Sequence, residues 1–554
     1  MRQITELAKA GHYAEAVPAA RQIVKQAEAT AGKNHPITAL AIATLASVQV
    51  TQGELDEAET LLKRVLTLRQ KTLSPNHADI AVTLLALGQI ALAQARYGDA
   101  ETLVTRAKAI REIALGADHA ETAMARVTLG NIRHKQARDG EAEQLLQRAL
   151  DALKTARGPE RNYLAVTLNN LAEIYKDEGR LTDAEGRFAE ARVILDELYG
   201  ADSLYVAPVL NNLGELRRQQ GRFGDAEELA RRTLRIREKL LGPDHTDVAA
   251  SLINLALLLV NEDRAAEAEG LLQRAHGIEE KSLGADHPDV ATALNNLADA
   301  ISAQGRAAEA EVLLHRSLSI REKRLGPQHA LVAVSLDNLV ALMIEAGRFA
   351  EAEPLARRSL SIRQTGLGVK HPLVASSLIN LAILLDSLNR HSEAEPLLKQ
   401  SLSIREDTFG AAHPLVANSL NNLAAHDLDL QDWPSAYRDF KRATAIWIGR
   451  RVEGVTAQQS DAVAEIRGNP DAFLGMLAAS FKLADNGHGA ADESLRAEAF
   501  ETAQWISLRL LRVLLLRVLC LLRVPYAGPS LPLTARTGPA SGSLQGRNPR
   551  DGVP

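Results

Sequence analysis

Apolar residues along this chain fall into short helical stripes separated by polar breaks. From Asp247 to about Asn261, Val248, Leu252, Leu255, Ala256 and Leu259 follow an i, i+3, i+4, i+7 spacing that lays them on one helical face. Glu262-Asp263-Arg264 interrupts the stripe. A second one, through Ala268, Leu271, Leu272, Ala275 and Ile278, predicts a helix from about Ala266 to Ser282. Leu283-Gly284 ends that helix, and Asp286-His287-Pro288 opens the next unit, proline fitting a first turn where its missing N–H has no partner to lose. Elsewhere the break between the two helices is Gly53, Gly179, Gly221, Gly305 or Gly347, and once Asn389, residues that accept the positive φ that ends a helix.

This two-helix unit repeats every 42 residues without a slip. One column is alanine throughout: Ala16, Ala58, Ala100, Ala142, Ala184, Ala226, Ala268, Ala310, Ala352, Ala394 and Ala436. Another is leucine: Leu45, Leu87, Leu129, Leu171, Leu213, Leu255, Leu297, Leu339, Leu381 and Leu423. A small side chain where the helices of a hairpin cross lets them approach to the near end of ~8–10 Å, and a bulky one there would overpack by ~1–3 kcal/mol. The leucines fill the space between hairpins, none of which can bury its apolar face alone. The units around Arg161 and Ser203 lack the histidine of eight sister units but keep both columns. The expected fold is therefore all-α, a right-handed superhelical α-solenoid of about ten helix-turn-helix repeats over residues 34–447. A partial repeat at 1–33 precedes it, and a helical extension at 448–505 and a tail at 506–554 follow.

Composition narrows the function. The net charge of -5 offers no general basic field to nucleic acid. The single cysteine, Cys520, cannot staple the chain to itself. Met1-Arg2-Gln3-Ile4-Thr5-Glu6-Leu7 contains no apolar run suited to a signal peptide, so a cytoplasmic location is expected. Arg509, Arg512, Arg517 and Arg523 interrupt the apolar residues of 506–523, and each arginine at a bilayer centre costs ~2.5 kcal/mol or more, so membrane spanning is not expected. Residues 527–554, rich in Pro, Gly, Ser and Arg, read as disordered.

Leu294-Asn295-Asn296-Leu297-Ala298, Ala310-Glu311, Arg316-Ser317-Leu318-Ser319-Ile320-Arg321-Glu322 and Leu325-Gly326 together resemble the kinesin light chain type of tetratricopeptide repeat, across residues 34–445. The Ala/Arg/Leu-rich composition suits a bacterial source. The resemblance implies a concave groove, lined by the first helix of each repeat, that takes extended peptides. Arg496 to Trp505, reading Arg-Ala-Glu-Ala-Phe-Glu-Thr-Ala-Gln-Trp, is similar to the segment joining such repeats to a CHAT domain, a caspase-like peptidase. The pattern stops after Trp505, as a reading-frame slip would stop it. The rival to a binding scaffold is accordingly the substrate-recognition region of a peptidase that has lost its catalytic half.

The leading site candidates are Asn170, Asn212, Asn254, Asn296, Asn338, Asn380 and Asn422, each just before the column leucine. Asparagine is a mediocre helix former, but its amide both donates and accepts, so a ladder of them could hold a peptide backbone without reading its sequence. In the resembled family this position contacts bound peptide. The alternative is that each amide ties neighbouring helices together. Asn169, Asn211, Asn295 and Asn421 form a partial second column of structural or solvent-facing character.

Two further columns call for structural explanations. His35, His77, His119, His245, His287, His329, His371 and His413 cannot share a metal, because equivalent residues of adjacent hairpins lie at least ~8–10 Å apart while zinc holds its nitrogens at ~2.0–2.1 Å. Helix capping or inter-repeat hydrogen bonding is expected of them. Arg64, Arg106, Arg148, Arg232, Arg274, Arg316, Arg358 and Arg442 on the second helix are expected in i, i+4 surface pairs.

No glycine-rich phosphate loop or metal-ligand motif is present, and Cys520 has no histidine and acid beside it in sequence to activate it. Residues 446–505 carry no catalytic motif. The sequence reads as a non-enzyme without cofactor, with a protein or peptide partner, no nucleic-acid partner, and weak homodimerisation through an uncapped apolar end.

Overall fold

The computed structural model describes residues 13–453 and 470–486, together with residues 3, 4 and 7. The CHAT-like stretch at 496–505, the Leu/Arg run with Cys520 and the tail at 527–554 lie outside the described residues. Among those described, all regular structure is helical, and consecutive helices pair as antiparallel hairpins. In a typical hairpin, the leading helix Thr246–Asn261 packs on the trailing helix Ala265–Leu283, and the next leading helix, Pro288–Ser302, packs on both. Tyr13–Ala31 is a trailing helix that packs on Pro36–Thr51.

Local chemistry sets the helix ends. In all eight units that have it, the column histidine is the N-cap of the leading helix. Its Nδ1 accepts the backbone N–H two residues on at 3.1–3.2 Å, a contribution of ~1 kcal/mol per cap. Gly53, Gly179, Gly221, Gly305, Gly347 and Asn389 all take positive φ at the break between helices. Ala95, Ala137, Asp263 and Gln431 do the same in their own units, where only the surrounding packing holds the strained turn.

All eleven column alanines are completely buried, and all ten column leucines are buried. The core is a string of local clusters, each shared by neighbouring hairpins. At one end, Pro470–Asn486 covers the last hairpin, setting Ala472, Leu474, Met476 and Leu477 against Trp433–Glu453 and Pro414–Asp429.

The array also curves until it meets itself. Leading helices of consecutive hairpins touch, as Thr246–Asn261 touches Pro288–Ser302, while contact between consecutive trailing helices is weaker among the described residues. Leading helices therefore lie inside the curve. His371 Nε2 lies 3.2 Å from the Lys135 carbonyl oxygen and His413 Nε2 3.2 Å from that of Asp177, each pair 236 residues apart, or about 5.6 repeats. Arg324 reaches Glu54 at 2.6 Å, and Leu283 packs into the cluster of Ile4, Ala16, Ala20, Leu45 and Val48. One superhelical turn thus rests directly on the next. Burial first, and the charges of Arg324, Arg321 and Arg363 respectively after it, hold His287, His329 and His371 below the usual imidazole range. A neutral ring that accepts at Nδ1 carries its proton on Nε2, the atom aimed at the turn below.

Candidate functional site

The accessible stripe of a leading helix is fixed by which faces the stacking consumes. Counted from the column leucine, positions −8, −5, −1, +2 and +6 are spaced three or four residues apart and share one face. In the first leading helix they are Ile37, Leu40, Thr44, Ser47 and Thr51, while Ala39, Ile42, Leu45, Ala46 and Val48 point into the core. Because leading helices line the inside of the curve, this stripe is the lining of the groove.

The asparagine column occupies the −1 position, and all seven of its members are half-buried. Two are tied to the preceding hairpin: Asn212 Nδ2 donates to Asn169 Oδ1 at 3.1 Å and Glu173 Oε1 at 2.9 Å, and Asn254 Nδ2 donates to Asn211 Oδ1 at 2.8 Å. Asn422 donates to its own helix at Asn418 O. Among the described residues, the amides of Asn170, Asn296, Asn338 and Asn380 meet no hydrogen-bond partner. In the second column, Asn169 and Asn211 act as acceptors between hairpins, and Asn295 is buried and donates to Ser335 at 3.4 Å.

Sequence reasoning missed the side chains flanking the amides. Ile37, Leu40, Val82, Leu331, Val334, Leu373 and Ile383 are each 36–53% exposed, all on the groove stripe. Asp79, Glu121, Asp247 and Asp289 take the −8 position in other hairpins and are open to solvent. Aligning the repeats column by column would have exposed this alternation of apolar and acidic groove positions. A cavity of about 620 Å³ opens between superhelical turns, bounded by Gln94–Asp99 on one turn and by Gln328–Ala330, Gly366–Gly368 and His371 on the other.

The arginine column behaves differently from the sequence expectation. Arg274 pairs with Glu238 at 2.7 Å, Arg316 with Glu280 at 2.5 Å and Arg358 with Glu322 at 2.5 Å, each partner 36 residues back on the preceding trailing helix rather than four along its own. Neighbouring trailing helices lie side by side, so the long side chains bridge hairpins on the outer layer. A second ladder was not foreseen: Arg96, Arg138, Arg180, Arg264, Arg306, Arg348 and Arg390, at the start of trailing helices, reach glutamates 37 residues back. Exposed pairs of this kind contribute ~0–1 kcal/mol each.

Two polar clusters lie apart from the histidine column. His134 Nδ1 meets Asp139 at 2.6 Å and its Nε2 meets Asp177 at 3.2 Å. Burial opposes the charged ring, but the two carboxylates outweigh it and hold its pKa at about 9. Six repeats on, Asp386 stands between His391 and His426, with its Oδ1 3.0 and 2.9 Å from their Nδ1 atoms.

Of the solved structures that match, the repeats of a candidate kinesin light chain from Podosopora anserina are 28% identical, covering 36% of this chain and 95% of theirs, with a TM-score of 0.32. BtubC (BKLC) from P. vanneervenii is 23% identical over 42% of this chain and 93% of its own, with a TM-score of 0.36. A Rap protein complexed with competence and sporulation factor is 13% identical over 74% and 98%, with a TM-score of 0.44. Among curated proteins, none matches. The family model described as tetratricopeptide repeat matches eight segments that together cover residues 7–155 and 163–407, well over half of the sequence. With its hairpins, alanine crossings and stacked leading helices, this chain belongs to the tetratricopeptide repeat family.

Proposed function

We propose that this protein is an interaction scaffold that grips an extended peptide segment of a partner along the stripe of its leading helices. The observation that carries the reading is the row of half-buried, unpartnered amides at Asn170, Asn296, Asn338 and Asn380, with exposed apolar residues on the same helical face. An amide can satisfy a peptide N–H and C=O together, and the apolar neighbours Leu331, Val334, Leu373 and Ile383 add area to bury. The open carboxylates of Asp247 and Asp289 favour a segment that also carries lysine or arginine.

The test uses a peptide selected from a displayed library against the full chain. Asn296/Asn338/Asn380→Ala should weaken its binding by about tenfold or more, as loss of hydrogen bonds worth ~1 kcal/mol each implies. Asn212/Asn254→Ala, which removes amides already bonded between hairpins, should lower stability more than affinity. Equal affinity for all three proteins at unchanged helical content refutes the amide ladder. Among the described residues, no helix is long and apolar enough to cross a membrane.

A further inference from the structure

We infer that Asp386, His391 and His426 form a binding site for a divalent first-row transition cation, zinc foremost, at the seam between the last two hairpins. Asp386 lies near the end of the leading helix Pro372–Ser387, His391 begins the trailing helix His391–Phe409, and His426 comes from the next leading helix, Pro414–Asp429. One ligating atom from each lies within 4.8 Å of the other two. The Asp386 Oδ1 spacings of 3.0 and 2.9 Å to the two Nδ1 atoms are within ~0.5 Å of the ~3.3–3.4 Å edges of a tetrahedral shell with bonds of ~2.0–2.1 Å, so small side-chain shifts would admit the ion. The rings stand 5.8 Å apart at 64°, so both can turn an Nδ1 toward one point without stacking.

The repeat supplies an internal control. His426 replaces a residue that is apolar in every sister hairpin: Val48, Ile90, Ile132, Ile174, Leu216, Leu258, Ala300, Leu342 and Leu384. At the other two registers an acid–imidazole pair already occurs once, Asp139 standing where His391 does and His134 where Asp386 does, six repeats back, whereas most sister hairpins have Leu, Phe or Tyr at the first and a mixture of apolar and polar residues at the second. What sets this seam apart is the second imidazole, His426, brought by the next leading helix to an acid–imidazole pair. The His426 side chain is completely buried, and its Nε2 meets no protein partner. Burying an imidazole in place of leucine costs stability unless its polar atoms are used; Nδ1 is used by Asp386, and a cation bound at Nδ1 would add to that interaction. Two imidazoles and one carboxylate form a borderline donor set that suits zinc, cobalt or nickel over magnesium or calcium. Asp429, on the same helix as His426, is pushed above the usual carboxylate range by burial and by the Asp386 charge, and a cation would relieve that repulsion. With His391 partly exposed, a coordination position is left for water or a partner's side chain.

The site differs from the histidine column, whose Nδ1 atoms are spent on helix caps. Its test starts from metal-free full-length protein, purified without a histidine tag and titrated with cobalt chloride and then zinc chloride. Cobalt should give the visible d–d absorption of a nitrogen-and-oxygen site and zinc should displace it, at one ion per chain. His426→Leu and His391→Phe each install a sister repeat's residue and so keep the fold, while Asp386→Asn keeps the shape. Each should weaken binding by more than the roughly 10–100-fold that follows loss of a residue merely supporting a ligand. Zinc should raise the unfolding temperature of the wild type alone. The same cobalt spectrum and stoichiometry in the wild type and all three variants would overturn the assignment, as would absence of any d–d band in the wild type.

Discussion

Glu279 offers a prediction whose magnitude follows from the geometry. In six sister hairpins its register holds Arg69, Arg111, Arg237, Arg321, Arg363 and Arg405, buried or nearly so, while Leu153 and Leu195 hold it in two others. Arg69, Arg111, Arg237, Arg321 and Arg405 each donate to the backbone carbonyl ten residues on, at 2.7–3.0 Å. A hydroxyl fourteen residues on usually completes the contact, as Ser335 does for Arg321 and Ser419 for Arg405. In the sixth hairpin the arginine has become Glu279 and the hydroxyl position Ala293. Glu279 is 5% exposed and its Oε2 has no partner. Burial first, and the charge of Asp289 second, push its pKa up to about 8.

A folded-state value above the unfolded 4.5 means that protonation favours the fold. The contribution is whole below pH 4.5 and is lost as the pH rises through 8. At pH 7, about 2.5 pH decades above the ordinary value, holding the acid neutral costs about 3 kcal/mol at about 1.4 kcal/mol per decade. Glu279→Gln removes the titration and keeps the shape. Its stability gain should be near zero at pH 4, about 3 kcal/mol at pH 7, and level off near ~5 kcal/mol above pH 8. Urea unfolding followed by circular dichroism at pH 4, 5.5, 7 and 8.5 measures the difference. Hydrogen exchange in Ala265–Leu283 and Pro288–Ser302 localises it. A gain that does not change with pH refutes the buried, protonated acid. Glu279→Arg with Ala293→Ser should recover the sister contact and match the glutamine variant at pH 7.

Other perturbations probe separate features. Ala310→Leu should lower stability by ~1–3 kcal/mol through overpacking at the helix crossing, which thermal unfolding reads directly. His134, held near 9, contributes stability that is present below pH 6.5 and lost as the pH rises through 9. His134→Gln should therefore destabilise by up to ~3 kcal/mol at pH 6 and by little at pH 10, measured by urea midpoints. Gly53 and Gly305 share φ +79°, but a Cβ on Gly53 would sit 2.3 Å from His287 Nε2, whereas one on Gly305 meets nothing within 4 Å. Both alanine variants should lose ~1 kcal/mol to the left-handed backbone, and only Gly53→Ala should also enlarge the radius of gyration in small-angle scattering. Identical profiles would mean that the superhelical turns do not touch in solution.

How far the sequence carried the structure can be judged residue by residue. The 42-residue period placed every hairpin, because each helix needs an apolar stripe to bury and each turn needs a backbone that tolerates positive φ. The alanine and leucine columns marked crossings and seams, and the aspartate-histidine pairs marked helix starts, since these are local demands met within one repeat and its neighbour. The position of the asparagine column on the leading helix was legible too. Which of its amides are spent was not: Asn212 and Asn254 differ from Asn296 only in what the preceding hairpin offers them.

What the tertiary structure alone decided is longer in range. Small rotations between hairpins accumulate, and nothing in a single repeat states their sum. Only the closed superhelix brings His371 to Lys135 and Arg324 to Glu54. The same holds for the arginine ladders, which read as intrahelical pairs until trailing helices are seen side by side, and for Asp386, His391 and His426. Forty residues separate Asp386 from His426 in the chain, yet one seam sets them about 3 Å apart. Periodic burial fixes the unit; the geometry of stacking fixes which units meet.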